Sequence, residues 1–432
     1  MIKRDKYLEK LIAKKQNGLV KVITGIRRCG KSYLLFNIYV DYLKSIGVAD
    51  EQIIRLALDD DENIRYRNPI ELGKYLRSLT SDRGKQYYVL LDEIQKVVTM
   101  KNPYTDDEGD KVSFVDVVLG LMKHDNVDIY VTGSNSKMLS SDILTEFRGR
   151  SDEIRVRPLS FSEFVGAYDG DKHDAWTEYF TYGGMPLILS EKSHEAKSQY
   201  LKMLFDKIYL SDIMERNRII NEQSVLDDIL NIISSSVGSL TNSPKISKTF
   251  ASIKQMKIDS NTVERYLDIF CDAFLIEKAI RYDVKGRKYI GSPVKYYFCD
   301  IGLRNARLGF RQQEENHIME NILYNELVGR GFDVDVGVVE YCYKDAEKKS
   351  KRSQLEIDFI ANKGSSRYYI QSALTVGDEE KRRQEIGSLI RVADSFKKIV
   401  VVKDAIIPWH DDNGILYIGI EQFLLDEGAI NI

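Results

Sequence analysis

Eight residues near the amino end constrain this chain most. A β-branched run at 19–24 (LVKVIT) passes directly into Gly25-Ile26-Arg27-Arg28-Cys29-Gly30-Lys31-Ser32, the pattern G-x-x-x-x-G-K-S. Its glycines let main-chain N–H groups fold around the β- and γ-phosphates of a nucleotide. Lys31 adds a point charge there and Ser32 a hydroxyl for Mg²⁺. The apolar stretch from Tyr33 predicts a helix whose positive N-terminal end faces the same phosphates. ATP and Mg²⁺ are the expected cofactors. The expected binding residues are Gly25, Ile26, Arg27, Arg28, Cys29, Gly30, Lys31, Ser32 and Tyr33, with Ser32 and Asp92 on the metal.

Phosphoryl transfer also needs a carboxylate for the metal and a group that orients water. The run 87–91 (YYVLL) is continuously apolar, as strands buried inside a parallel sheet are, and it ends in Asp92-Glu93. Asp92 would hold Mg²⁺ through water, and Glu93 is the natural base for the attacking water. A third run, 128–132, ends in Gly133-Ser134-Asn135-Ser136. Ser134 or Asn135 would touch the γ-phosphate or the attacking water; a plain polar turn is the competing reading. Runs at 53–58 and 154–156 complete five strands alternating with helical stretches. The expected fold class of this part is α/β, a P-loop NTPase parallel three-layer sheet; the remaining segments have patterns of their own.

Composition narrows the setting. The chain has 432 residues, 63 Lys+Arg against 66 Asp+Glu, and a net charge of −3. Hydrophobic content of 43% and charged content of 30% exclude collagen-like, disordered and disulfide-dense classes. No apolar stretch approaches the roughly 18 residues that cross a bilayer, so no membrane partner is expected. Four scattered cysteines without a CxxC pair fit a reducing cytoplasm. Near-neutral charge means that any contact with DNA must come from a local patch.

The segments GIRRCGKS, YYVLLDE, IYVTGSNSKML and FRGRSDEIRVRPLSFSEF resemble, in this order, the prokaryotic AAA-type P-loop ATPases of the additional-strand class. The resemblance covers roughly residues 1–190. It implies that Arg150, with Arg148 close by, is a candidate finger reaching toward a γ-phosphate across a subunit boundary, and hence a homo-oligomer. An arginine that anchors a loop is the alternative. The expected catalytic set is Lys31, Glu93, Ser134 and Arg150.

Beyond the expected core (1–160), residues 161–238 read as mostly helical, broken by a tight turn at Gly183-Gly184-Met185-Pro186, and the resemblance implies that this segment is a helical lid. Residues 239–310 read as a winged helix: helical patterns at 226–237, 246–256 and 262–274, then strands at 275–282 and 294–298 around a polar tip. The span 241–298 holds 11 Lys+Arg and 6 Asp+Glu, a local +5. Lys245, Lys248, Lys254, Lys257, Lys285, Arg287 and Lys288 could contact DNA phosphates. Glu264, Asp268 and Asp272 on the would-be recognition helix oppose that, and winged helices also serve as protein contacts. Both partners stay open.

In the last segment, 311–432, the helix 318–328 places Glu326 in the middle of its apolar arc, a costly position unless the acid is paired or metal-bound. A hairpin follows, with Asp358 on one strand and Gln371-Ser372-Ala373 on the next. Helix acid, strand Asp and second strand follow the order of PD-(D/E)XK nucleases, to which this segment is similar. In them, acids bind a divalent ion and a lysine steadies developing charge. Glu326, Asp358 and Gln371 form the candidate second site, but Gln371 is a poor ligand and Ala373 cannot replace the lysine, so a degenerate domain is expected. The whole chain reads as a Mg²⁺-dependent ATP hydrolase that moves its appended domains. An ATP-regulated nuclease and a nucleotide-gated binding switch are the alternatives.

Overall fold

The computed structural model describes residues 2–133, 147, 149–217, 219, 222–311, 314–344, 350–377 and 379–432. They form two compact units, Met1–Arg157 and Pro158–Ile432.

The first unit is built on strands β1 (Val20–Thr24), β2 (Ile53–Ala57), β3 (Tyr87–Asp92), β6 (Val127–Thr132) and β7 (Ser151–Arg155), with a short ribbon of β4 (Met100–Lys101) and β5 (Lys111–Val112). The five long strands are all parallel, in the order β2-β3-β6-β1-β7. Every residue of β1 and β3 is buried, because helices cover both faces of such a sheet and leave no side for polar residues. The helices start where the sequence supplies caps. Asn68 accepts from the N–H groups of Ile70 and Glu71 to open Pro69–Leu79, and Ser113 with Asp116 forms a capping box for Phe114–Leu121. Their apolar faces, through Leu72, Leu76, Phe114 and Val118, pack with Val22, Val89 and Val131 in one core.

The second unit opens with helices, among them Phe161–Ala167, Ala175–Tyr182, His194–Met203 and Gln223–Ser235. Ser243–Lys254 and Ser260–Asp272 follow, then β8 (Ile276–Asp283) and β9 (Lys288–Phe298). The Gly183-Gly184 turn is fixed by contact with a later segment. Gly183 has φ +72°, and a Cβ there would lie 2.3 Å from the Asp300 carboxylate. Asp300 accepts from Gly184 N at 2.7 Å and caps the helix Ile301–Arg307 through Leu303 N at 3.0 Å.

The hairpin expected as a wing belongs to something larger. Together with β10 (Asp333–Lys344), β11 (Ser350–Lys363), β12 (Ser366–Ala373), β13 (Lys397–Val402), β14 (Trp409–His410) and β15 (Leu416–Gly419) it forms an eight-stranded mixed sheet, in the order β14-β15-β13-β12-β11-β10-β8-β9. β8 pairs in parallel with β10, Val336 opposite Arg281. The sheet therefore runs across the boundary expected between 310 and 311. Helix Glu315–Gly329 lies against β9, β10, β11 and β12.

Candidate nucleotide site

The loop after β1 is shaped by its neighbours. A Cβ on Gly25 (φ +137°) would meet the Val156 carbonyl oxygen at 2.1 Å, so only glycine lets the chain turn here. Ile26 and Cys29 point inward and are buried, while Arg27 and Arg28 are exposed. Arg28 takes φ +65° and Gly30 φ +99°. Behind the loop, Arg4 donates to the carbonyls of Cys29 (3.2 Å) and Arg157 (2.6 Å). Lys31, 5% exposed, donates from Nζ to the carbonyls of Gly25 (2.9 Å) and Ile26 (3.0 Å), so its ammonium lies across the arch of the loop. Ser32 and Tyr33 are exposed at the first turn of the following helix.

Parallel pairing brings the remaining groups to the same edge of the sheet. Asp92 is the last residue of β3 and is buried. It accepts a hydrogen bond from the Thr132 hydroxyl at the tip of β6, and that hydroxyl also receives the Glu93 N–H at 3.4 Å. Glu93 adopts a left-handed backbone (φ 53°, ψ 49°), uncommon for a residue with a Cβ and worth attention where it occurs. Gln95 donates from Nε2 to its carboxylate. Sequence reading missed Arg4, Thr132 and Gln95. Thr132 could have been found, as the polar residue that ends an apolar strand; Arg4 could not, being separated from its partners by 25 and 153 positions.

Ser134, Asn135 and Arg148 lie outside the described residues. Arg150 is exposed and precedes β7, its carbonyl accepting from Val20 N at the start of β1. The loop leaves the other end of β1, roughly 16 Å away at about 3.3 Å per residue. The fold does not bring Arg150 to its own chain's Lys31.

In the second unit the expected trio does not assemble as expected. Glu326 is bound by Arg330, Nε to Oε1 at 2.6 Å, which answers the cost of its inward position. Glu320, on the same helix, takes the place facing Asp358. Lys295 on β9, 3% exposed, lies between the acids: 2.7 Å from Glu320, 2.7 Å from Glu356 and 4.0 Å from Asp358. Asp358 also accepts from Ser372 N at 2.8 Å, and Gln371 Oε1 accepts from Asp358 N at 3.4 Å. Burial alone would lower the Lys295 pKa, but Glu320, Asp358 and Glu356 outweigh it and raise it. Burial, helped by Glu320, pushes the Asp358 carboxyl well up. Among the described residues no three His, Cys, Asp or Glu side chains are grouped to hold a metal ion.

A parallel five-stranded sheet with this loop after its first strand is the fold of the P-loop NTPases, and residues 17–165 match the AAA domain family. Residues 173–314 match a domain of unknown function, DUF8612. An uncharacterized protein of Haemophilus influenzae is 33% identical over 406 residues, 93% of each chain. The present chain belongs to that protein's family. An uncharacterized protein of Methanocaldococcus jannaschii is 29% identical over 385 residues, 84% of this chain and 77% of its own length. Among solved structures, a Walker-type ATPase of Pyrococcus abyssi is similar at a TM-score of 0.47 with 15% identity, over 71% of this chain and 96% of that one. No helix among the described residues is long and apolar enough to cross a membrane.

Proposed function

We propose that this chain hydrolyses ATP with Mg²⁺ at the edge formed by β1, β3 and β6, and uses the cycle to change the state of its second unit. The observation that carries the reading is the Thr132 hydroxyl, which ties Asp92 and the Glu93 main chain to the edge where the P-loop begins. An exposed hydroxyl on Ser32 and a buried carboxylate on Asp92 are hard oxygen donors, the kind Mg²⁺ takes in phosphate sites. When bound, the ion neutralises charge on the β- and γ-oxygens. The loop N–H groups and Lys31 hold the phosphates, Lys31 exchanging its two carbonyl partners for phosphate oxygens. Glu93 accepts a proton from the attacking water and aligns it, while Gln95 and Thr132 set where that carboxylate stands.

Replacing Glu93 with Gln tests the assignment. The variant should retain ATP and lose turnover by about 100-fold or more, the usual worth of a positioned base. Hydrolysis at the normal rate would remove Glu93 from the role.

Arg150 serves a neighbouring copy in this reading, since its own P-loop is a strand-length away. In the second unit, the Lys295 ammonium pairs closely with Glu320 and Glu356 at the place where a nuclease would hold a metal, which supports a degenerate domain that does not cut. The exposed side of helix Ser260–Asp272 carries Glu264, Asp268 and Asp272 beside Arg265, an arrangement that repels a duplex backbone.

A further inference from the structure

A cavity of about 690 Å³ opens on one face of the eight-stranded sheet, between the β8–β9 turn, the β11–β12 turn and the residues leading into β13. Three cations line it, Lys285, Arg287 and Arg367, against one carboxylate, Asp394. That carboxylate is already engaged, accepting from the Tyr369 hydroxyl at 2.6 Å and from Phe396 N at 3.2 Å. Asp283, which accepts from the N–H groups of Lys285 and Gly286, and Asp335, which feels the charge of Arg367, do not line the space, so the excess of cations is confined to the side chains that face it. The Arg367 guanidinium is held between the Tyr282 and Phe396 rings, 5.2 and 5.7 Å from their centroids, with its Nε donating to Asn362 Oδ1 at 2.7 Å. Phe396 is itself 41% exposed and lines the same space, a large apolar ring left in water beside fixed positive charge. Arg287 stands exposed in a left-handed turn, φ +51°.

We infer that this cavity binds single-stranded nucleic acid, with phosphates at Arg287 and Arg367 and an unstacked base on Phe396. Cations that track a backbone, combined with an exposed ring for stacking, are the physical signature of strand binding without sequence preference. A duplex keeps its bases stacked inside and offers Phe396 nothing, so the charge alone would act on it. The volume falls in the range of sites for nucleotide-sized ligands. Lys285, whose Nζ donates to the Glu340 carbonyl at 2.8 Å, contributes field. This inference goes beyond the ATPase reading and stands without it.

Fluorescence anisotropy of a labelled oligo-dT strand with the full chain, in the absence of ATP, tests it. The single strand should bind more tightly than a duplex of equal length. Phe396→Ala should weaken it by roughly 5- to 150-fold, the worth of one base–aromatic stack. Arg287→Gln should lower the dependence of log affinity on log salt by about 0.7, one single-strand phosphate contact. Circular dichroism and ATP turnover measured on the same variants separate a misfolded sample, or failure of the ATPase assignment, from failure of this one. Folded Phe396→Ala with wild-type affinity, a preference for the duplex, absence of binding, or binding only to phosphatidylserine vesicles would each overturn the inference.

Discussion

Thr132 is buried at the end of β6, with its hydroxyl between Asp92 and the Glu93 N–H. Valine fills the same volume without the hydroxyl, so Thr132→Val removes the link and leaves the core intact. A hydrogen bond to a charged group contributes roughly 1.5–3 kcal/mol. ATP turnover should accordingly fall about 10- to 100-fold while ATP retention stays close to normal, and Thr132→Ser should recover most of the rate. Unchanged turnover in the valine variant would show that the hydroxyl positions nothing. At this scale the sequence was most legible where chemistry is local. The loop residues Gly25 to Ser32 and the pair Asp92-Glu93 stand in short contiguous motifs, because one turn and one strand end place them. Lys295 and Glu320 escaped, since their partnership depends on a strand and a helix meeting from separate parts of the chain. The apolar arc of helix Glu315–Gly329 drew attention to Glu326, whose partner Arg330 lies four residues on.

Between elements, Asp300 joins the Gly183-Gly184 turn to the helix Ile301–Arg307. Burial raises its carboxyl from 3.8 to about 6, with the N–H groups of Gly184, Leu303 and Gly302 pulling the other way. The folded chain thus holds a proton that the unfolded chain has released. Stability falls as pH rises through the window from about 4 to about 6, and above it the deficit is on the order of 3 kcal/mol. Urea unfolding followed between about pH 4 and pH 7 should show this decline in the wild type and a flatter profile in Asp300→Asn. Parallel profiles would refute the assignment. Elements were well readable wherever periodicity or a continuous apolar run defines them, as in β1, β3, β6 and the helices with caps. The fate of the β8–β9 hairpin was not readable. Its parallel pairing with β10 joins residues more than fifty positions apart, and nothing in the hairpin's own alternation distinguishes a free wing from a strand pair inside a larger sheet.

For the whole molecule, the reading of Arg150, just before β7, as a finger for a neighbouring copy implies assembly. If it completes a neighbouring copy's site, Arg150→Ala and Lys31→Ala should each be nearly inactive alone, and mixing them should restore turnover at least tenfold, given that such arginines contribute about 10³–10⁵ to rate. Wild-type turnover by Arg150→Ala would place Arg150 outside catalysis, and mixtures no faster than the sum of the two would contradict its action on a neighbouring copy. The assignment with the widest consequences remains the loop itself. Titration of the full chain with a slowly hydrolysed ATP analogue at millimolar Mg²⁺ tests it most directly, wild type beside Lys31→Ala. Saturable one-site binding in the wild type, lost in a Lys31→Ala variant that keeps the same circular dichroism, is the predicted result. Equal binding by both, or none by a folded wild type, would contradict it.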